Sequence, residues 1–148
     1  MHTPMTRTRT LVIALLALAS VQLLHLLDAL RYSPNATFPG VFNDPAALFG
    51  VSAAFISAIA VARHEPIARA LALATGAAVA IGFTLYHGIP VQLRHNNPYW
   101  GPDGHADALR WLTVLLAIGL AMWVIVLAAR LVSHPRGSMR PCAESAME

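Results

Sequence analysis

An all-α integral membrane protein, a bundle of four transmembrane helices, is the fold class this sequence predicts. Three observations carry the expectation. The chain of 148 residues is 57% hydrophobic. Only 11% of it is charged, against about 25% in soluble domains, and so few charges could hardly cover a water-facing surface of this size. The apolar residues also gather in four runs, each near the roughly 20 residues that a helix needs to cross a bilayer. Helices are the element expected for these runs, because an open sheet leaves backbone groups unsatisfied in lipid.

The elements follow in chain order. Residues 1–10 form a short leading segment, and the first span runs over 11–31. "ALAS" at 17–20 resembles a signal-peptidase site, but the apolar run continues past it, which favours a retained helix. "SPNATFPGVFNDP" at 33–45 holds three prolines and a glycine and reads as a loop. The second span covers 45–62, with Pro45 suited to a first turn and Asn43 or Asp44 to its cap. "RHEP" at 63–66 is a tight connection, after which Pro66 can open a third span over 67–89. Ala72, Gly76 and Ala80 fall four apart there, a row of small residues that lets helices approach closely. A turn-rich loop precedes the fourth span, 108–132, and the polar tail 133–148 is expected to be disordered. The spans together make one membrane domain, 11–132.

Arginine placement sets the orientation. The chain has no lysine. With the N-terminus inside, Arg7, Arg9, Arg63, Arg69, Arg130, Arg136 and Arg140 lie on the inner side, and Arg31, Arg94 and Arg110 on the outer. Positive residues concentrate on the cytoplasmic side of membrane proteins, so both termini are expected in the cytoplasm and the protein in the plasma (inner) membrane. The expected partners are the lipid bilayer and either another membrane subunit or a second copy. The arginines stand singly at the ends of apolar runs and form no basic stripe, which argues against nucleic acid. Cys142 is the single cysteine. That excludes an internal disulfide and a cysteine zinc cluster.

The orientation also sorts the polar residues, most of which fall at outer span ends or in outer loops. Gln22, His25 and Asp28 recur every third residue near the end of the first span, so they share one helix face. A charge at that depth costs a few kcal/mol unless it is paired or faces the bundle interior. The stripe should therefore point inward, with a His25–Asp28 hydrogen bond as its simplest local solution and Arg31 paired to Asp28 or extended to the headgroups. His87 is the natural partner from the third span, in "TLYHGIP" at 84–90, where Gly88 and Pro90 let the helix loosen.

His25, Asp28 and His87 are thus the candidate catalytic group, because a histidine oriented by a carboxylate can move protons. Histidines on facing helices can also hold a transition metal or a haem iron. His25, His87, His95, Asp103 and His105 are the candidate metal ligands. Asp103 and Asp107 fit capping of the fourth helix better, where negative charge meets the positive end of the helix dipole. No H-E-x-x-H, Cys-x-x-Cys or glycine-rich phosphate loop occurs, so the cofactor is unspecified. Two function classes remain. The first is an accessory or interaction subunit with an outward polar pocket, roofed by the 94–107 loop. The second is a membrane protein that binds a metal, haem or small ligand, or does acid/base chemistry on a lipid-borne substrate at the outer leaflet.

Overall fold

A computed structural model describes residues 4–32, 45–88 and 107–131, and it is helical nearly throughout these, with no strand among them. Among the described residues four α-helices stand in order, α1 (Pro4–Tyr32), α2 (Pro45–Ala62), α3 (Ala68–Phe83) and α4 (Ala108–Ala129). A π-helical turn, Thr84–Gly88, prolongs α3. Three helices are long and apolar enough to cross a membrane, over Thr6–Asp28, Ala68–His87 and Ala108–Ala129. The fourth is shorter, with its apolar stretch at Leu48–Ala62. The loop residues 33–44 and 89–106 lie outside the described residues, as does the tail after 131. With them go the Asn43/Asp44 cap, the expected roof over the bundle, His95, Asp103, His105 and Cys142.

The element ends depart from expectation in small, explicable ways. Helix α1 reaches back to Pro4, since proline is tolerated in a first turn where its missing N–H bonds nothing. Helix α2 starts at Pro45 for the same reason. It ends in a Schellman motif. Glu65 N donates to Ala60 O at 2.9 Å, and His64 N to Val61 O at 3.1 Å. His64 takes the left-handed position with φ 56°. Ala68 N then donates to Glu65 O at 3.0 Å, so Pro66 stands inside a tight entry turn and α3 proper begins after it.

Helix α1 packs beside α2 and α4, and α3 packs beside the same two. α1 and α3 therefore face each other across the bundle. The apolar core fills one end. Leu11, Leu15 and Leu18 of α1 are fully buried, at the 3–4 spacing of a single helix face. Small residues receive them: Ala58 on α2, Ala72 on α3, and Ala121 and Ala128 on α4. Between helices in lipid the driving force is packing rather than removal from water, which is why leucines on one helix meet alanines on the others. Gly76 lets α3 lie close against the backbone of α4. A Cβ there would stand 2.9 Å from the Ala121 carbonyl oxygen and 2.8 Å from Ile125 Cγ1. The expected small row is indeed the buried face of α3, with Ala72, Gly76 and Ala80 all turned inward.

Candidate functional site

Beyond Leu18 the inward seam of α1 changes chemistry. The next two seam positions, still 3–4 apart, are Gln22 and His25. Gln22 is only 6% exposed. Its Nε2 donates to Gly50 O of α2 at 3.3 Å and to Leu18 O at 3.4 Å. A side chain at position 50 would meet the Gln22 amide, which would have to move and give up this contact. Leucine seam and polar seam are thus one face of one helix, apolar toward its start and polar toward its end.

His25 binds across to α4. Its Nδ1 lies 2.9 Å from Thr113 Oγ1, while Thr113 Oγ1 donates to the Arg110 carbonyl at 2.8 Å. A hydroxyl has one proton to give. Spent on the carbonyl, it leaves the Thr113 oxygen to accept from His25. The neutral His25 ring therefore carries its proton on Nδ1 and its lone pair on Nε2. This assignment follows from the hydrogen-bond network.

His87 comes from the opposite helix. It continues the inward line of Gly76, Ala80 and Phe83 and is buried. Its ring meets His25 edge-on, with centroids 4.8 Å apart. Phe83 closes a triad, 5.2 Å from His25 and 5.3 Å from His87. Helices on opposite sides of the bundle thus touch through these rings. Tyr86 packs on the outer side of His87 at 4.8 Å and is itself exposed. The helix loosens here as the sequence suggests. Thr84 Oγ1 donates to the Ala80 carbonyl at 2.7 Å, which also receives the Thr84 N–H. Such back-bonding competes with the regular ladder, and the π turn follows at once.

Asp28 is buried but does not serve His25 as expected. Its Oδ1 accepts from Arg31 Nη1 at 2.9 Å. Arg31 Nη2 continues to Asp107 Oδ2 at 3.2 Å. Asp107 in turn caps α4, its Oδ1 accepting from Arg110 N at 3.0 Å. The expected His25–Asp28 hydrogen bond gives way to these two separate links because Arg31 offers the carboxylate a charged donor, while Thr113 offers the imidazole a fixed acceptor. Asp28 Oδ2 remains buried with no hydrogen-bond partner among the described residues.

Arg110 and Thr113 are the site residues that sequence reading overlooks. Counting charges places Arg110 among outer arginines, yet it is 9% exposed, and its carbonyl accepts from the Thr113 hydroxyl that meets His25. The signal was its helical phase. Arg110 stands in 3–4 register with Val114, Ala117, Ala121, Val124 and Ala128, all of which are buried. A polar link lower in the bundle, Ser57 Oγ to Thr75 Oγ1 at 2.8 Å between α2 and α3, had no such signal. Each hydroxyl can bond its own helix's carbonyls, so sequence does not mark them as partners.

The arrangement bears on the candidate chemistries. Among the described residues no three histidine, cysteine, aspartate or glutamate side chains group to hold a metal ion. Two imidazoles that share a haem iron face each other across the macrocycle, whereas these rings touch edge to face. What the geometry brings together is His25, His87, Thr113 and Arg110, with Asp28 bound into the neighbouring ion pair.

An all-helical membrane protein is the class that this fold defines. No family model, curated protein or solved structure matches the chain.

Proposed function

We propose that the chain is a four-span protein of the plasma membrane, with both termini cytoplasmic, acting as an accessory or interaction subunit of a membrane assembly. The observation that carries this reading is the use of its buried polar side chains. They tie helix to helix: Gln22 to Gly50, His25 to Thr113 and Ser57 to Thr75, with the half-exposed Arg31–Asp107 pair adding a link at the rim. In lipid such links fix register where hydrophobic burial cannot. The result is a bundle with a set shape whose exposed leucines, isoleucines and phenylalanines face outward, toward lipid or toward a partner's helices.

Extraction in a mild detergent at native expression tests the subunit role. An accessory subunit migrates in a larger assembly at fixed stoichiometry. Migration as a lone monomer would overturn the role. Alanine at His25 or His87 should lower the yield of folded protein, with no loss of bound metal or of a haem absorbance band. A metal or band lost with either histidine would favour the ligand-binding class instead.

A further inference from the structure

The end of the bundle that holds the leucine–alanine core also collects cations. Leu11, Ala58, Ala68 and Ala128 belong to one cluster, so the start of α1, the end of α2, the start of α3 and the end of α4 meet there. Each helix brings arginine to this end: Arg7 and Arg9 on α1, Arg63 just after α2, Arg69 on α3 and Arg130 just after α4. All five are exposed. Among the described residues the one acid at this end is Glu65. At the other end two arginines, Arg31 and Arg110, stand with two aspartates, Asp28 and Asp107. Helix dipoles leave this contrast intact, because two N-termini and two C-termini meet at each end and their partial charges offset. Among the described residues none of Arg7, Arg9, Arg63 and Arg130 forms an ion pair. Arg69 is engaged, its Nη2 donating to the Ala129 carbonyl at 3.4 Å.

Their level along the helices narrows the partner. The long apolar spans run over Thr6–Asp28, Ala68–His87 and Ala108–Ala129. Arg7 and Arg9 therefore stand in the first turn of one span, and Arg130 directly follows another. Arg63 directly follows the apolar stretch Leu48–Ala62 of α2. A guanidinium at the edge of a span extends its apolar stem along the helix and sets its charge among the headgroups. All ten basic residues of the chain are arginine, whose planar fork takes two phosphate oxygens at once. We propose that this end of the bundle gathers anionic phospholipids, with Arg7, Arg9, Arg63 and Arg130 holding the headgroup phosphates of the surrounding leaflet. A zwitterionic headgroup offers the same phosphate but carries its own ammonium, which offsets the attraction. The four arginines stand on three helices around the bundle, a spread that a leaflet meets at once and a single acidic peptide does not. Such binding needs neither a partner subunit nor a particular orientation of the termini.

Quenching of tryptophan fluorescence by brominated lipid tests this on the full chain. Trp123 lies about two turns before Arg130 and is 47% exposed. Trp111 lies at the other end of the same helix. W100F/W111F keeps Trp123 as the reporter of the arginine end, and W100F/W123F keeps Trp111 as the reporter of the opposite end. Each is reconstituted in phosphatidylcholine vesicles with increasing dibrominated phosphatidylglycerol, and in a parallel series with dibrominated phosphatidylcholine. Around Trp123 phosphatidylglycerol should be preferred over phosphatidylcholine by about threefold or more, and around Trp111 by clearly less. Raising the salt from about 0.05 M to about 0.5 M should shrink the Trp123 preference by screening. R7Q/R9Q/R63Q/R130Q, made in the Trp123 reporter, should bring it close to unity. Equal preferences at the two tryptophans overturn the proposal. So does the lack of any preference at Trp123, which would leave these arginines to an acidic protein partner. The comparison of the two reporters decides the matter even where the fourfold arginine variant fails to insert.

Discussion

Asp107 does two tasks with two oxygens, and the tasks can be separated. One oxygen caps α4 on Arg110 N, and the other receives Arg31 from α1. Asparagine caps nearly as well as aspartate, whereas alanine does not cap at all. The Arg31 contact is between half-exposed side chains and is worth at most about 1 kcal/mol. D107A should therefore cost about 1–2 kcal/mol in reversible unfolding in mixed micelles, and D107N clearly less. Equal losses would show that the ion pair, not the cap, dominates. His64 offers the opposite sign. A histidine in the left-handed position bears a steric cost that glycine avoids. H64G should stabilise the α2–α3 hairpin by about 0.5–1 kcal/mol in the same assay. At this scale the sequence is only partly legible. Spacing alone marks Gln22 and His25 as inward, because three-residue steps fix a face. Which donor each polar group chooses depends on neighbours that spacing cannot supply. Asp28 is the case in point: Arg31 and Asp107 were both visible, but their meeting required α1 and α4 to be adjacent.

Among the elements, the pairing of α3 with α4 rests most visibly on one residue. A side chain at Gly76 would press on the Ala121 carbonyl and on Ile125. The carbonyl belongs to a helix backbone and cannot turn aside. G76L should therefore separate the helices and destabilise the bundle by roughly 1–3 kcal/mol, the usual cost of overpacking. Gly119, on the same pair of helices, has open space around its Cβ position. G119A should be neutral, or stabilising by up to about 1 kcal/mol through helix propensity. Similar losses from the two substitutions would show that intrinsic helicity, not contact, governs both sites. The helices themselves were legible because proline and glycine punctuate the chain so strongly. Pro45, Pro66 and the Gly88 region each mark an end within a residue or two. The early start of α1 was not, because threonine and arginine carry no stop signal, and the expected boundary rested on apolarity alone. Membrane burial and helix formation are different properties, and at Pro4–Thr10 they part.

Across the whole molecule the two ends differ in kind. One carries the leucine–alanine core together with Arg7, Arg9, Arg63, Arg69 and Arg130, with Arg69 reaching the Ala129 carbonyl at the last turn of α4 at 3.4 Å. The other carries the imidazoles, the buried guanidinium and the Asp28–Arg31–Asp107 chain. On the proposed orientation the arginine-rich end is cytoplasmic, and Cys142 lies on that side. A membrane-impermeant maleimide should leave Cys142 unlabelled in intact cells and label it after permeabilisation. Rapid labelling of intact cells would invert the topology or remove one crossing.

The short second helix has a further consequence. The apolar stretch Leu48–Ala62 of α2 is about 22 Å long at 1.5 Å per residue, while the hydrocarbon layer is about 30 Å thick. The Schellman turn ties the end of α2 to the start of α3, so on a four-span topology the shortfall falls at the other end, beside Gly50, Gln22 and His25. Hydrophobic mismatch of this kind is relieved by thinning the bilayer or by admitting headgroups and water locally. The leaflet around this face is then dimpled, and its water surface dips toward the imidazoles. A thinner membrane suits such a protein better than a thick one, and short-chain lipids should gather around α2.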